Sequence, residues 1–156
     1  MILTPQQQAL IIALRKNGRQ RIHSLAKKNL VPTSSLTETL HRLEEKGILM
    51  HRPHLAFDKL GYPVRILAAV TTDPRGRQAL QSYLEGAKNV NTLHVIDSGY
   101  DFHFEGIFRN QKDAQDFMNE MEEKNIIVEK HVFHIIDTIH QERFMTEGSH
   151  FENPKK

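Results

Sequence analysis

The chain of 156 residues contains no cysteine. Disulfides, thiolate nucleophiles and cysteine-ligated zinc are therefore excluded, and the composition agrees with a reducing compartment. Long apolar runs are also missing: none approaches the roughly 20 residues that cross a bilayer. Met1-Ile2-Leu3 leads straight to a helix cap, without the basic and apolar stretches of a secretory signal. The expected location is the cytoplasm. Aromatics are few, at 7%, but together with a hydrophobic fraction of 38% they suffice for a packed core. Acid is scarce in one half only. Residues 1–60 hold ten Lys and Arg against four Asp and Glu, a balance of +6, whereas residues 61–156 hold eleven against fifteen, a balance of −4. A basic N-terminal half is the electrostatic footprint of a module that meets phosphate, and an acidic half should avoid it. Chance scatter is the plainer account. It is disfavoured because the boundary coincides with a change in secondary-structure pattern.

The basic half reads as three short helices. Thr4 is placed to cap the first, Pro5 suits its first position, and Gln7 completes a capping box. Leu10, Ala13 and Leu14, with Ile11 beside them, form its apolar face, and Asn17-Gly18 stops it. A second helix is expected over about Arg21 to Asn29, with Ile22, Leu25 and Ala26 inward. Thr33 or Ser35 is expected to cap a third, whose inward face is Leu36, Leu40 and Leu43 and whose stop is Gly47. Residues 49–60 read as a strand and linker, with Pro53 marking an edge or bend. This is the outline of a winged helix-turn-helix, which sets one helix at an angle that fits the major groove of DNA.

The second half reads strand–helix–strand twice. A strand over 65–72 precedes a helix expected to be capped by Asp73, with Pro74 at its first position and Leu80, Tyr83, Leu84 and Ala87 inward. Residues 90–98 alternate as a strand, and Gly99-Tyr100 is a turn. Phe102, Phe104, Gly106 and Phe108 share one face of the next strand, with His103, Glu105 and Ile107 on the other. Asn110 caps a helix carrying Ala114, Phe117, Met118 and Met121 inward, and Ile127 to Ile139 is a last strand. The order βαββαβ predicts an antiparallel sheet with both helices on one face, a ferredoxin-like plan in the α+β class. The expected organisation is a winged helix-turn-helix over 1–50, a hinge over 51–61, a ferredoxin-like domain over 62–140 and a mobile tail over 141–156. The sheet's uncovered face should be partly apolar, which predicts a face-to-face dimer presenting two recognition helices to a pseudo-palindromic site.

In the ordered run of Leu10-Ile11, Leu14, Asn17-Gly18-Arg19, Leu25-Ala26-Lys27-Lys28, Arg42-Leu43-Glu44-Glu45-Lys46-Gly47-Ile48, Leu60-Gly61 and Ser98-Gly99-Tyr100-Asp101, the chain resembles the Lrp/AsnC, or feast/famine, family of transcription regulators. The resemblance extends over about Leu3 to Ile139. It implies a DNA-binding domain hinged to an effector-binding and oligomerisation domain, with dimers that assemble further into tetramers or octamers. It also implies a small effector, commonly an amino acid, near the turn between the second and third strands. No metal or redox cofactor is implied.

Within that frame, Thr33, Ser34, Ser35, Thr37, Glu38, His41 and Arg42 are the candidates on helix three for reading DNA. The bland alternative is an ordinary solvated helix face. Arg15, Lys16, Arg19, Arg21, Lys27 and Lys28 are the candidate phosphate contacts, and Arg52 and His54 are candidates on the wing or hinge. Ser98, Gly99, Tyr100 and Asp101 form either a plain tight turn or a site whose amides hold a carboxylate while Asp101 holds an ammonium. Asp137 and Thr138 are further candidates for the same pocket. The ten histidines lack ligand spacing: His131 and His134 should face opposite ways, and only His94 and His103 are expected to meet. No metal is expected, although such a surface could make assembly pH-dependent. Glu38 and Thr39 stand where the family commonly has basic residues. That keeps open a ligand-sensing partner with weak DNA binding. A tetrapyrrole-processing enzyme on the same two-domain plan is a further alternative, without any paired acid and base to support it.

Overall fold

A computed structural model describes residues 3–97, 99–125 and 127–147, which divide into two compact units. The first unit joins the N-terminal stretch to His54 with the segment from Ile139 onward; the second runs from Leu55 to Thr138.

In the first unit, helix α1 spans Pro5–Lys16 and begins as a capping box. The Gln7 amide donates to the Thr4 hydroxyl at 3.3 Å, and the Thr4 amide donates to the Gln7 side chain at 2.8 Å. Two otherwise orphaned amides are thereby satisfied. Helix α2 spans Ile22–Lys28 and helix α3 spans Thr33–Glu45. Leu10, Ile11, Leu14, Leu25, Ala26, Leu36 and Leu43 form the buried core, with Leu40 and Val31 packed at its margin. Each fully buried Leu or Ile contributes about 1.5–3 kcal/mol, so the apolar spacing of the helices accounts for their association. Leu30 takes the left-handed position between α2 and α3, with φ +54° and its side chain in solvent.

Helix α3 is capped differently from expectation. Pro32 occupies the N-cap without a side-chain bond, and both Thr33 and Ser35 lie inside the helix. Proline's fixed φ already supplies the extended entry, so the helix starts one residue beyond it. The expected strand over 49–60 is not paired either. Residues 49–56 form no regular element and join no ladder, and a 3-10 turn follows at Asp58–Leu60. Pro53 removes a donor there.

The second unit is a four-stranded antiparallel sheet in the order β2-β3-β1-β4. The strands are β1 Val64–Thr72, β2 Val90–Val95, β3 Phe102–Phe108 and β4 Ile127–His134. Helices α4 (Arg77–Gly86) and α5 (Gln111–Lys124) supply Leu80, Leu84, Ala114, Phe117, Met118 and Met121 to one core with Ile66, Ala68, Val70, Phe102, Phe104 and Phe108. The ferredoxin-like α+β plan is therefore present. Gly106 sits on the inward face as read from the alternation: a Cβ there would lie 2.6 Å from the Phe108 ring and 3.1 Å from Ile66.

Three boundaries move, the first that of β2, which ends at Val95 and not at 98. Helix α4 begins at Arg77, not after Asp73. The Asp73 carboxylate accepts from the Arg75 amide at 2.9 Å and its carbonyl accepts from the Gly76 amide at 2.8 Å, so Asp73 closes a separate turn. Strand β4 ends at His134 because its partner runs out: the Ile135 amide bonds to the Arg65 carbonyl at 2.9 Å, and Pro63, just before β1, has no N–H to extend the ladder.

Candidate nucleic-acid interface and effector loop

The outward face of α3 carries Thr33, Ser34, Thr37, Glu38, His41, Arg42 and Glu45 along one shallow strip. Leu36 and Leu43 bury the opposite face, which leaves this one to solvent. At its centre Arg42 Nη2 donates to Glu38 Oε1 at 2.5 Å, with the two side chains 65% and 63% exposed. His41 lies 3.4 Å from the Glu44 carboxylate, which also meets His51 at 3.0 Å. The Thr37 hydroxyl donates to the Thr33 carbonyl at 2.9 Å. The Thr33 hydroxyl lies 3.4 Å from His23 Nδ1. Ser35 does not join this face: its half-buried hydroxyl accepts from Gln6 Nε2 at 3.2 Å and ties α3 to α1.

Lys16, Arg19, Arg21, Lys27 and Lys28 in α1, α2 and the turn between them are all exposed, and none has an ion-pair partner among the described residues. Their charges are left to solvent and counter-ions. Arg15 is not among them. Its guanidinium donates to the Glu142 carboxylate at 2.5 Å, to the Glu142 carbonyl at 2.7 Å and to the Phe144 carbonyl at 3.0 Å. Met145 packs against the helical core beside it. The described part of the C-terminal segment, expected to be mobile, is thus fastened to α1. An acidic residue 127 positions away in sequence gives no local signal of this pairing.

In the second unit the loop before β3 is built on β1. Ser98 lies outside the described residues. Gly99 has φ +88°, a left-handed value that a side chain would strain, and its carbonyl accepts from the Thr71 hydroxyl at 3.0 Å. Tyr100 donates to Glu129 at 3.0 Å and stands 2.5 Å from His131 Nδ1. Desolvation first, then the hydrogen bond to Glu129 and that carboxylate's charge, holds the Tyr100 hydroxyl above the ordinary phenol value. Asp101 accepts from the Thr72 amide at 3.0 Å and pairs with Arg77 at 3.3 Å. Its side chain is 19% exposed, so an incoming ammonium would share it with Arg77. Nothing in the sequence marks Arg77 beyond a cation at the start of α4.

Asp137 and Thr138 do not share this loop's site within one protomer. Thr138 accepts from Arg65 at 2.9 Å, and Asp137 accepts from the Thr138 amide at 2.7 Å, both beside the first residues of β1. The loop is pinned at Thr71 and Thr72, the other end of that strand. At about 3.3 Å per residue the two places are roughly 20 Å apart.

The sheet face away from the helices carries Leu67, Ala69, Ile107 and Phe133, the last 60% exposed. His94 pairs with His103, His103 with Ala69 and Ala69 with His131, so the three histidines lie in one row across the four strands. The His94 and His103 rings stack at 6.1 Å. Arg65 and Asn91 both donate to the nearly buried Glu105 on the same face. His131 and His134 face opposite sides of the sheet, through partners Ala69 and Ile66. Among the described residues no cluster of three or more side chains is arranged to hold a metal. No helix among them is long and apolar enough to cross a membrane.

Residues 3–56 match the family model described as MarR family. No curated protein matches the chain. Solved structures do. AsnC of E. coli superposes with a TM-score of 0.81 at 16% identity, over 90% of this chain and 97% of that one. LrpC of B. subtilis gives 0.79 at 21% identity, over 90% and 99%. The transcriptional regulator NMB0573 of Neisseria meningitidis, in complex with L-Met, gives 0.81 at 14% identity, over 89% and 93%. The chain therefore has the two-domain fold of these regulators, as its sequence led us to expect.

Proposed function

We propose that this chain is a DNA-binding transcription regulator of the Lrp/AsnC type, acting in the cytoplasm. The observation that carries the reading is an outward α3 face open to solvent, in a helical unit whose exposed cations have no ion-pair partner among the described residues, on a fold shared with AsnC and LrpC. The cations position the helix on phosphates, and Ser34, Thr37, Glu38, His41 and Arg42 meet base edges. A partly apolar, uncovered sheet face supports pairing with a second copy, and two copies place two α3 helices on a pseudo-palindromic duplex. The fold neighbour NMB0573 holds L-Met. For this chain we assign an amino-acid effector to the Gly99–Asp101 loop, with Arg77 facing the carboxylate and Asp101 the ammonium. Asp137 and Thr138 are left out of that site.

A second reading has its own observation. Arg42 is tied to Glu38 and His41 stands against Glu44, so the α3 face carries little free positive charge. That arrangement suits a ligand-sensing partner with weak DNA binding.

Selection of duplexes from a random pool separates the two. The regulator reading expects an enriched pseudo-palindrome. A folded, self-associating protein that enriches nothing and still binds an amino acid refutes it and leaves the sensing partner.

A further inference from the structure

From the geometry of α3 we infer that Glu38 and Arg42 act as one reading unit, selecting a cytosine and a guanine within two base steps of each other in each half-site. The inference rests on the DNA-binding reading above and deepens it by naming the sequence class that α3 takes.

Glu38 is the sixth residue of α3 and Arg42 the tenth, on the same exposed strip as Ser34 and Thr37. A carboxylate on a helix that enters a groove lies among phosphates, and there it is repelled unless it meets a donor. The major groove offers donors only at cytosine N4 and adenine N6. Adenine sets its N7 acceptor beside that donor, opposite the second carboxylate oxygen. Cytosine has a C–H there instead, so a carboxylate fits cytosine better. Only Oε1 of Glu38 takes the Arg42 hydrogen bond. Oε2 is left to accept from the base.

Arg42 is matched in the same way. It gives Nη2 to Glu38, which leaves its other N–H groups to meet an acceptor pair, and in the major groove that pair is guanine O6 with N7. Held at 2.5 Å by its partner, the guanidinium keeps less freedom to wander to phosphate. Four residues of helix advance about 6 Å, against a base rise of about 3.4 Å along a strand; hence the limit of two steps. A surface pair whose only role is to support the helix has the same i, i+4 spacing. The difference lies in what Glu38→Gln does. Glutamine presents a donor and an acceptor together, the pattern that pairs with adenine N6 and N7.

The test is random-pool selection with the wild-type chain, E38Q and R42A, followed by affinity for single-base variants of the enriched duplex. The wild-type site is expected to hold a C and a G within two steps, each replacement lowering affinity roughly 5- to 150-fold. E38Q is expected to change the C to an A and keep the G; R42A is expected to lose the G. If both variants keep the wild-type site, or if that site lacks such a C and G, the pair is a helix-supporting contact only and the inference fails while the regulator reading stands. If the wild-type chain enriches no duplex, both fail together. Both side chains are mostly solvent-exposed, so neither substitution removes core packing.

Discussion

Replacing Gly106 by alanine is the sharpest test of the second unit's packing. Gly106 lies in β3, directly opposite Ile66 of β1 and facing α5. A Cβ built there stands 2.6 Å from Phe108 Cε2, 3.0 Å from Cζ and 3.1 Å from Ile66 Cγ1. Phe108 is 1% exposed and its ring packs 5.5 Å from that of Phe117, so it has no solvent to retreat into. Inserting one methyl into such a core costs about 1–3 kcal/mol. Against this, alanine restricts the unfolded chain and returns about 0.4–1 kcal/mol. The clash wins, and a net loss of about 1.5 kcal/mol lowers the melting temperature of a unit this size by roughly 6–12 °C. Gly86 is the control. It ends α4 with nothing within 4 Å of a built Cβ and without a left-handed φ. Its replacement by alanine should be neutral or stabilising by up to about 1 kcal/mol. Calorimetric melting of the three proteins decides. A G106A transition at or above the wild-type one would refute the inward placement of Gly106 and, with it, the register of β3 on β1.

Glu142→Ala removes the carboxylate but leaves the Glu142 and Phe144 carbonyls that also hold Arg15, so it should cost the first unit up to about 1 kcal/mol and, by removing a negative charge beside Arg15, strengthen binding to arbitrary duplexes modestly; a melt and a titration at fixed salt check both, and unchanged values would mean the Arg15–Glu142 pair is immaterial. Replacing Lys27 and Lys28 by glutamine should weaken binding to all duplexes alike and flatten the plot of log affinity against log salt by about 0.9 for each phosphate no longer neutralised; a sequence-selective effect would contradict their role. Tyr100→Phe tests the raised Tyr100 value. An acid whose folded pKa is raised is favoured in its protonated form, so its contribution is complete below the ordinary phenol value of 10.0 and disappears as pH rises through the folded value. The wild-type melting advantage over Y100F should therefore hold at neutral pH and shrink above about pH 10; an advantage that does not shrink would show that the hydroxyl is not held this way.

Three kinds of feature were legible in the residues alone, because each depends on near neighbours. The capping box at Thr4 and Gln7 needs only three residues of spacing, and the inward faces of α1 and α3 need only the helical period. The alternation of Phe102, Phe104, Gly106 and Phe108 assigns β3 its faces before any partner strand is known. The order of these elements was enough to predict the ferredoxin-like sheet. What tertiary structure alone decided is long-range pairing. Arg15 read as a free cation until Glu142 and Phe144 were brought to it from the far end of the chain. Asp101 and Asp137 read as neighbours in one pocket until bonds to Thr72 and, through Thr138, to Arg65 put them at opposite ends of β1 within one chain. Strand β4 ended where β1 could no longer bond it, although its apolar pattern continued to Ile139. Local periodicity is written in the order of residues; which groups remain free to meet a ligand depends on which distant groups have already met them, and that is a property of the folded chain.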